Sequence, residues 1–384
     1  MSRALNPYHY GTPATAEHFT GRELELAALL SRMRNGVNVV LLSPRRYGKT
    51  SLLLRAEAQL VAGRPEAAVV NANVLRCRDL SSLVSRLVSG VYRVPGARWH
   101  RARQAVPQFV RRLRLAPSVT FDDSGAPRFS FLPGLAATDA EEVIADVYQL
   151  LAEQAPRRPA ALVLDEFQAI VDHGVHLPGL FKALADEHPE VALVLAGSKR
   201  HLMERLVTSS GAPLYDMAER LELGPIPPEV MVDYLRRRAE AGRKSLAEGA
   251  AREIVQMAGP VPNDIQRLAY EAYDAASGAI DATAVGRAMS AAVAHGAAGY
   301  AEQFGRMAAG QRRVVTALAS EPSSTPYAAA FVSRVNLANG ASVRKALVAL
   351  AETEVVVERD GFYAVADPFF AAWLRPEEES DSRW

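Results

Sequence analysis

The run Ser43-Pro44-Arg45-Arg46-Tyr47-Gly48-Lys49-Thr50 meets the spacing G-x-x-x-x-G-K-[ST] at every fixed position but the first, where Ser43 stands in place of Gly. These residue types suit one kind of chemistry. Backbone N–H groups of such a loop, with the N-terminus of the helix that follows through Ser51, face an anion, while Lys49 reaches the β and γ phosphates of a nucleotide. Thr50 would hold Mg²⁺ through its hydroxyl. Ser43 must either find a backbone conformation open to a residue with a Cβ or cost about 1 kcal/mol in strain.

A second group of oxygen donors closes the apolar run Ala161-Leu162-Val163-Leu164, namely Asp165 and Glu166. Asp165 would support Mg²⁺ through water, and Glu166 would orient or deprotonate an attacking water. Ser198 ends the next apolar run and is placed to touch the γ-phosphate or that water. Taken alone, an acid pair after a strand is also a common way into a helix, and Ser198 also suits the start of a solvated loop. The loop motif upstream favours the chemical reading of both.

Holding these groups takes strands that feed the loop and the acids. Residues 37–42, 67–73, 161–167 and 191–198 read as buried strands, alternating with helical segments at 49–60, 140–154 and 177–186. That order predicts a parallel sheet with helices on both faces. Upstream, Leu24, Leu26, Leu29, Leu30 and Met33 recur near helical spacing, with Thr20 as the expected cap and Glu23 completing a capping box. Residues 118–121 and 128–131 read as a hairpin. Residues 225–293 show helical periodicity without a strand signal, and GPVP at 259–262 punctuates them. Three helices at 311–319, 327–335 and 342–351, then two short strands around Asp360-Gly361, make a winged-helix pattern.

The 384 residues carry 44 Lys+Arg against 43 Asp+Glu, so contact with nucleic acid or membrane cannot come from overall charge and must come from a local patch. The single cysteine, Cys77, excludes an internal disulfide framework and a cysteine-based zinc site. No apolar run approaches the roughly 18 residues of a membrane span, and the start of the chain lacks a signal-peptide pattern. The expectation is a cytoplasmic protein without a membrane partner.

The runs NPYHYG, FTGREL, SPRRYGKTSLL, VLDEFQ, LAGS, PLYDMAERLEL, GPVPNDIQRLA and YAVADPFFAAWLR, in that order, resemble the archaeal-type ATPases of the STAND group, close to AAA+ ATPases of the origin-recognition kind. The resemblance covers roughly residues 6–375. It implies a P-loop ATPase domain over 1–224 with an Arg-rich insertion at about 90–134, a helical lid over 225–300, a winged helix over 305–375 and a polar tail over 376–384. It also implies ATP and ADP as ligands, with adenine near Phe19 and Arg22 and with Pro260 and Arg267 as lid contacts. One departure stands out: Asp216 and Met217 occupy the family's Gly-Arg pair, and Arg220 lies three residues on.

Between Asp79 and Asp122 there is no acid, but Arg86, Arg93, Arg98, Arg101, Arg103, Arg111, Arg112 and Arg114 are interleaved with Tyr92, Trp99 and His100. Such a stretch suits phosphate backbones, and equally a solvated or protein-contact insertion. The winged helix, with eight basic and six acidic residues over 305–375, is weakly charged for a DNA reader and fits a protein-contact module at least as well. The expected function is a Mg²⁺-dependent ATPase acting as a conformational switch coupled to a protein partner or to self-association. A nucleotide-gated DNA-binding regulator and a non-hydrolysing nucleotide-binding scaffold are the alternatives.

Overall fold

The structure, a computed structural model, describes residues 5–14, 16–64, 67–94, 118–121, 127–130, 137–155, 158–171, 177–207, 211–212 and 214–375. Arg98, Arg101, Arg103, Arg111, Arg112, Arg114 and the polar tail lie outside them. The chain divides into two compact units, Pro13–Pro225 and Met1–Thr12 joined with Ile226–Trp384. The start of the chain, expected with the P-loop core, therefore groups with the C-terminal unit.

In the first unit, α1 (Glu23–Arg34), β1 (Val39–Leu42), α2 (Lys49–Gly63), β2 (Ala68–Asn73) and α3 (Leu80–Arg93) are followed by the antiparallel hairpin β3 (Ser118–Phe121) and β4 (Pro127–Ser130). After the helix Ala137–Ala152 come β5 (Ala160–Asp165), the helix Leu177–Glu187, β6 (Val191–Gly197), the helix Arg200–Val207 and β7 (Glu219–Glu222). The main sheet has the order β2-β5-β6-β1-β7, with every pairing parallel. Side chains alternate between its faces with the period of two that a strand imposes. Val40, Leu42, Val70 and Leu162 share a core with α3 and the helix Ala137–Ala152. Val39, Leu41, Val69 and Val163 share the opposite core with α1 and α2. Burial on both faces is why these central strands are apolar runs and not alternating ones.

Two local expectations change. Gly21 has φ +67°, outside the helical region, so Thr20 cannot cap a helix beginning beside it; α1 starts at Glu23 behind Arg22, and Glu23 Oε1 accepts from Gly21 N at 3.2 Å. β7, with the sequence Glu-Arg-Leu-Glu, is a strand that its composition hides: it lies at the sheet edge with three of its four residues exposed.

The second unit has one continuous hydrophobic core running from Tyr8 to Leu374. Tyr8 is buried and donates to Leu235 O at 2.9 Å, and Arg238 Nε donates to Pro7 O at 2.8 Å. Helices Pro228–Ala241, Ala250–Ala258 and Pro262–Ala275 lead into the long helix Ala282–Gly305. The winged-helix segment follows as helices Ala309–Ser320, Ala329–Arg334 and Gly340–Glu352, then β8 (Val356–Arg359) and β9 (Phe362–Val365). Asp360 and Gly361, at φ +51° and +79°, form the turn between those strands, as two central residues of a tight hairpin require.

The Asp-Pro-Phe-Phe motif opens the final helix, Pro368–Leu374. Asp367 caps it by accepting from Phe369 N at 2.8 Å and Phe370 N at 3.2 Å, and Phe370 packs against Tyr300 of the long helix with centroids 5.5 Å apart. Asp367→Ala is expected to cost about 1 kcal/mol through the lost cap, a fall of roughly 2–4 °C in melting temperature. Calorimetry checks this, and an unchanged transition would contradict the role given to the cap.

Candidate P-loop site

β1 delivers the chain into the loop, and α2 leaves it. Gly48 takes φ +93°, with no atom within 4 Å of where a Cβ would stand, so the helix begins at Lys49 with open space at its first turn. Ser43 takes the first of its two courses, a backbone conformation open to a residue with a Cβ. It is absent from the positive-φ residues, and its N–H donates to Gly197 O at 3.3 Å while its Oγ donates to Pro44 O at 3.1 Å. The positive φ falls instead on Arg46, at +68°. Pro44, Arg45 and Arg46 are exposed and Tyr47 is buried. Ser51 Oγ accepts from Ala14 N at 2.9 Å, tying the preceding segment to α2.

The sheet order sets β6 between β1 and β5, so the loop, Ser198 and the acid pair lie at the same ends of adjacent strands. Lys49 Nζ, 5% exposed, is 2.5 Å from Asp165 Oδ1 and 2.6 Å from Glu166 Oε1. Thr50 Oγ1 donates to Asp165 Oδ2 at 2.8 Å, and Ser198 Oγ donates to Glu166 Oε2 at 2.8 Å. Five residues picked from three separate stretches thus form one hydrogen-bonded cluster. Burial pushes the Glu166 carboxyl up, but the Lys49 ammonium and the hydrogen bonds from Lys49, Gln168 and Ser198 outweigh it, so the group lies below the ordinary carboxylate value. Glu166 also has φ +62° and ψ +39°, a left-handed conformation uncommon for a residue with a side chain.

The donor set suits a magnesium ion shared with phosphate. Thr50 and Asp165 offer a hydroxyl and a carboxylate that already converge, and hard oxygen donors of this kind, completed by water and phosphate, are what Mg²⁺ takes. Among the described residues there is no group of three or more His, Cys, Asp or Glu that could cage a metal alone.

Two residues at the cluster escape the sequence reading. Asn73, at the end of β2, donates to Asp165 Oδ2 at 3.0 Å, and Gln168 donates through Nε2 to Glu166 Oε2 at 2.5 Å. The signal for Asn73 was a polar side chain closing an otherwise buried strand; for Gln168 it was only the run DEFQ.

Of the residues taken from the resemblance, Arg22 is 4% exposed. Its guanidinium donates to Tyr47 O at 3.2 Å and Gly224 O at 2.5 Å and pairs with Glu25 at 2.8 Å, so it braces the loop backbone from behind. Phe19 is half-buried, with Arg55 over its ring at 5.9 Å. Pro260 belongs to the second unit, where it lines a cleft with Pro322 and Pro368. Arg267 lies over the Phe369 ring at 4.2 Å and donates to Ala292 O at 3.2 Å. Asp216, at φ +57°, keeps the left-handed turn that a Gly would make. Arg220 pairs with Glu204 at 2.7 Å and Glu222 at 2.6 Å, and is thereby engaged within its own unit.

Fold and site together define a P-loop NTPase sheet, followed by a helical region and a winged helix. The family described as "probable winged helix domain" matches residues 298–376. Among solved structures, the chain is similar to the Walker-type ATPase PABY2304 of Pyrococcus abyssi at 19% identity and a TM-score of 0.67, over 96% of this chain and 100% of that one. It is also similar to the Aeropyrum pernix ORC1 protein in complex with DNA (16% identity, 93% and 92% covered, TM-score 0.47) and to the ADP form of the Aeropyrum pernix ORC2 protein (13%, 96% and 97%, 0.48). At 19% identity the likeness to the Pyrococcus abyssi protein is one of fold alone. No curated protein matches the chain, and no helix among the described residues is long and apolar enough to cross a membrane.

Proposed function

We propose that this protein binds ATP and hydrolyses it with Mg²⁺, using the nucleotide state as a conformational switch of the STAND or AAA+ kind that is read out by a protein partner or by self-association. The observation that carries this reading is the single cluster of Lys49, Thr50, Asp165, Glu166 and Ser198 at the ends of β1, β5 and β6. In it Lys49 binds the β and γ phosphates, the start of α2 faces them with its N–H groups, and Thr50 and Asp165 hold the magnesium. Bound Mg²⁺ supplies neutralisation of the charge that develops on the phosphate oxygens. Glu166 takes a proton from water as its oxygen attacks the γ-phosphorus; the bond to the bridging oxygen breaks, leaving ADP and phosphate. Adenine as the base, and ATP over GTP, rest on the motif resemblance.

The test is phosphate release by the purified protein with ATP and with GTP, each with and without duplex DNA. Release that prefers ATP and vanishes in Lys49→Ala supports the reading. ATP binding without release in any arm would leave the non-hydrolysing scaffold in its place.

The winged-helix match over residues 298–376 favours a second reading, a regulator whose DNA binding is gated by nucleotide. If the Arg-rich stretch shares the load, replacing Arg111, Arg112 and Arg114 by Ala weakens binding uniformly across sequences and flattens the log–log salt slope by about 0.9 per lost phosphate contact. Binding unchanged in the triple variant rules those arginines out as the contact. Absence of wild-type binding near ~50 mM salt, where phosphate contacts are strong, removes the DNA reading.

A further inference from the structure

The Glu166 carboxylate is held on both of its oxygens. Oε1 is 2.6 Å from Lys49 Nζ, and Oε2 accepts from Ser198 Oγ at 2.8 Å and from Gln168 Nε2 at 2.5 Å. Gln168 is 8% exposed and lies on the short turn Phe167–Ala169 that follows the acid pair. Its other amide atom, Oε1, is buried without a hydrogen-bond partner. That oxygen lies over Gly197, where a Cβ would come within 2.6 Å of it, so the glycine of LAGS is what lets the amide sit flat against β6. A buried amide oxygen left unpaired is unfavourable. Turning the amide over would set that oxygen against the carboxylate, so the orientation is the one that gives Glu166 a donor.

The lysine can be counted in the same way. An ammonium has three N–H donors, and Lys49 directs two of them at Asp165 and Glu166. Bridging a β and a γ phosphate takes two donors, so one carboxylate must let go. Asp165 is the deeper, 2% exposed against 14% for the Glu166 side chain, and it keeps Thr50 and Asn73 on its other oxygen.

We infer that Gln168 is a positioning residue: with Ser198 it fixes Glu166 by one carboxylate oxygen, while Lys49 covers the other until phosphate draws the lysine away. The inference rests on the proposed hydrolase reading of the site and adds its regulation. The general base is masked in the nucleotide-free protein, and the substrate unmasks it without the carboxylate losing its orientation. Ser198 accordingly acts on Glu166 and not only on phosphate.

The experiment uses the full chain with Gln168→Ala and with Gln168→Met, which keeps the side-chain length and removes the donor. Both are expected to lower kcat by about 10- to 50-fold, a part of the factor a positioned base supplies, with KM changed less than about threefold because substrate binding is left alone. The rise in melting temperature on adding ATP, which reads binding and not turnover, is expected to match wild type in both. In a Glu166→Gln background, Gln168→Ala is expected to leave the single-turnover rate within about twofold, because residues acting through one another are not additive. Wild-type turnover by Gln168→Met, or an equal loss from Gln168→Ala in both backgrounds, would overturn the clamp. Wild-type single turnover by Glu166→Gln would remove the base assignment and the clamp with it, and absence of phosphate release by the wild type would remove the hydrolase reading itself.

Discussion

Lys49→Ala is expected to abolish the ATP-dependent rise in melting temperature. At ATP near 100 times its dissociation constant that rise corresponds to about 2.7 kcal/mol in the wild type, or roughly 5–10 °C for a unit of this size. The structure adds a second effect that the loop motif alone does not contain. Lys49 is the shared counter-ion of Asp165 and Glu166, which are 2% and 14% exposed. Removing one partner of a buried ion pair costs about 3–5 kcal/mol, so the nucleotide-free variant is expected to melt lower than wild type as well. Each variant is therefore compared with its own nucleotide-free baseline. In Lys49→Ala/Glu166→Gln, where one of the stranded carboxylates is neutral, much of the lost stability is expected to return while the ATP response stays absent. An ATP response equal to that of wild type in Lys49→Ala would defeat the assignment of the loop.

The same residues show what a single sequence discloses. β1, β5 and β6 were legible because strands buried on both faces must be apolar throughout, and the loop and acids were legible because they end those strands. β7 was not, since an edge strand needs no apolar face and this one blunts its edge with Glu219, Arg220 and Glu222. Asp367-Pro368 did carry a helix-start signal, a capping acid followed by proline at the first helical position. The helix it opens is only 7 residues long, too short to show a period. Thr20 failed as a cap because a glycine's sign of φ is not written in its identity. At the site, types and spacing named the five residues that come together, but not which atom would meet which. Ser198, expected at the γ-phosphate or the attacking water, meets Glu166, the acid assigned to that water, and Arg22, which the resemblance put near adenine, grips the loop carbonyl of Tyr47. Asn73 and Gln168 are polar side chains whose role exists only once three strands lie side by side.

Glu166→Gln separates binding from chemistry, and the geometry sharpens the expected result. An amide cannot accept the proton of the attacking water, so hydrolysis is expected to slow by ~10²-fold or more, the factor associated with a positioned general base. The amide introduced at this position still offers one oxygen to Ser198 and Gln168, so the turn after β5 keeps its hydrogen bonds. Its NH₂ group then faces the Lys49 ammonium, donor against donor, and no longer neutralises it. Phosphate therefore competes with one carboxylate for Lys49 where it met two, and ATP is expected to bind several-fold more tightly than to wild type while turning over far more slowly. Asp165→Asn differs in sign: it removes the carboxylate that Thr50 already meets at 2.8 Å, so Mg²⁺-dependent ATP binding is expected to weaken. Equilibrium binding and single-turnover hydrolysis, measured on both variants with and without Mg²⁺, distinguish the two acids. Tighter binding with slow turnover in Glu166→Gln, beside weaker Mg²⁺-dependent binding in Asp165→Asn, is the pattern these contacts require; the same pattern in both variants would mean that the two carboxylates do not divide metal and water between them.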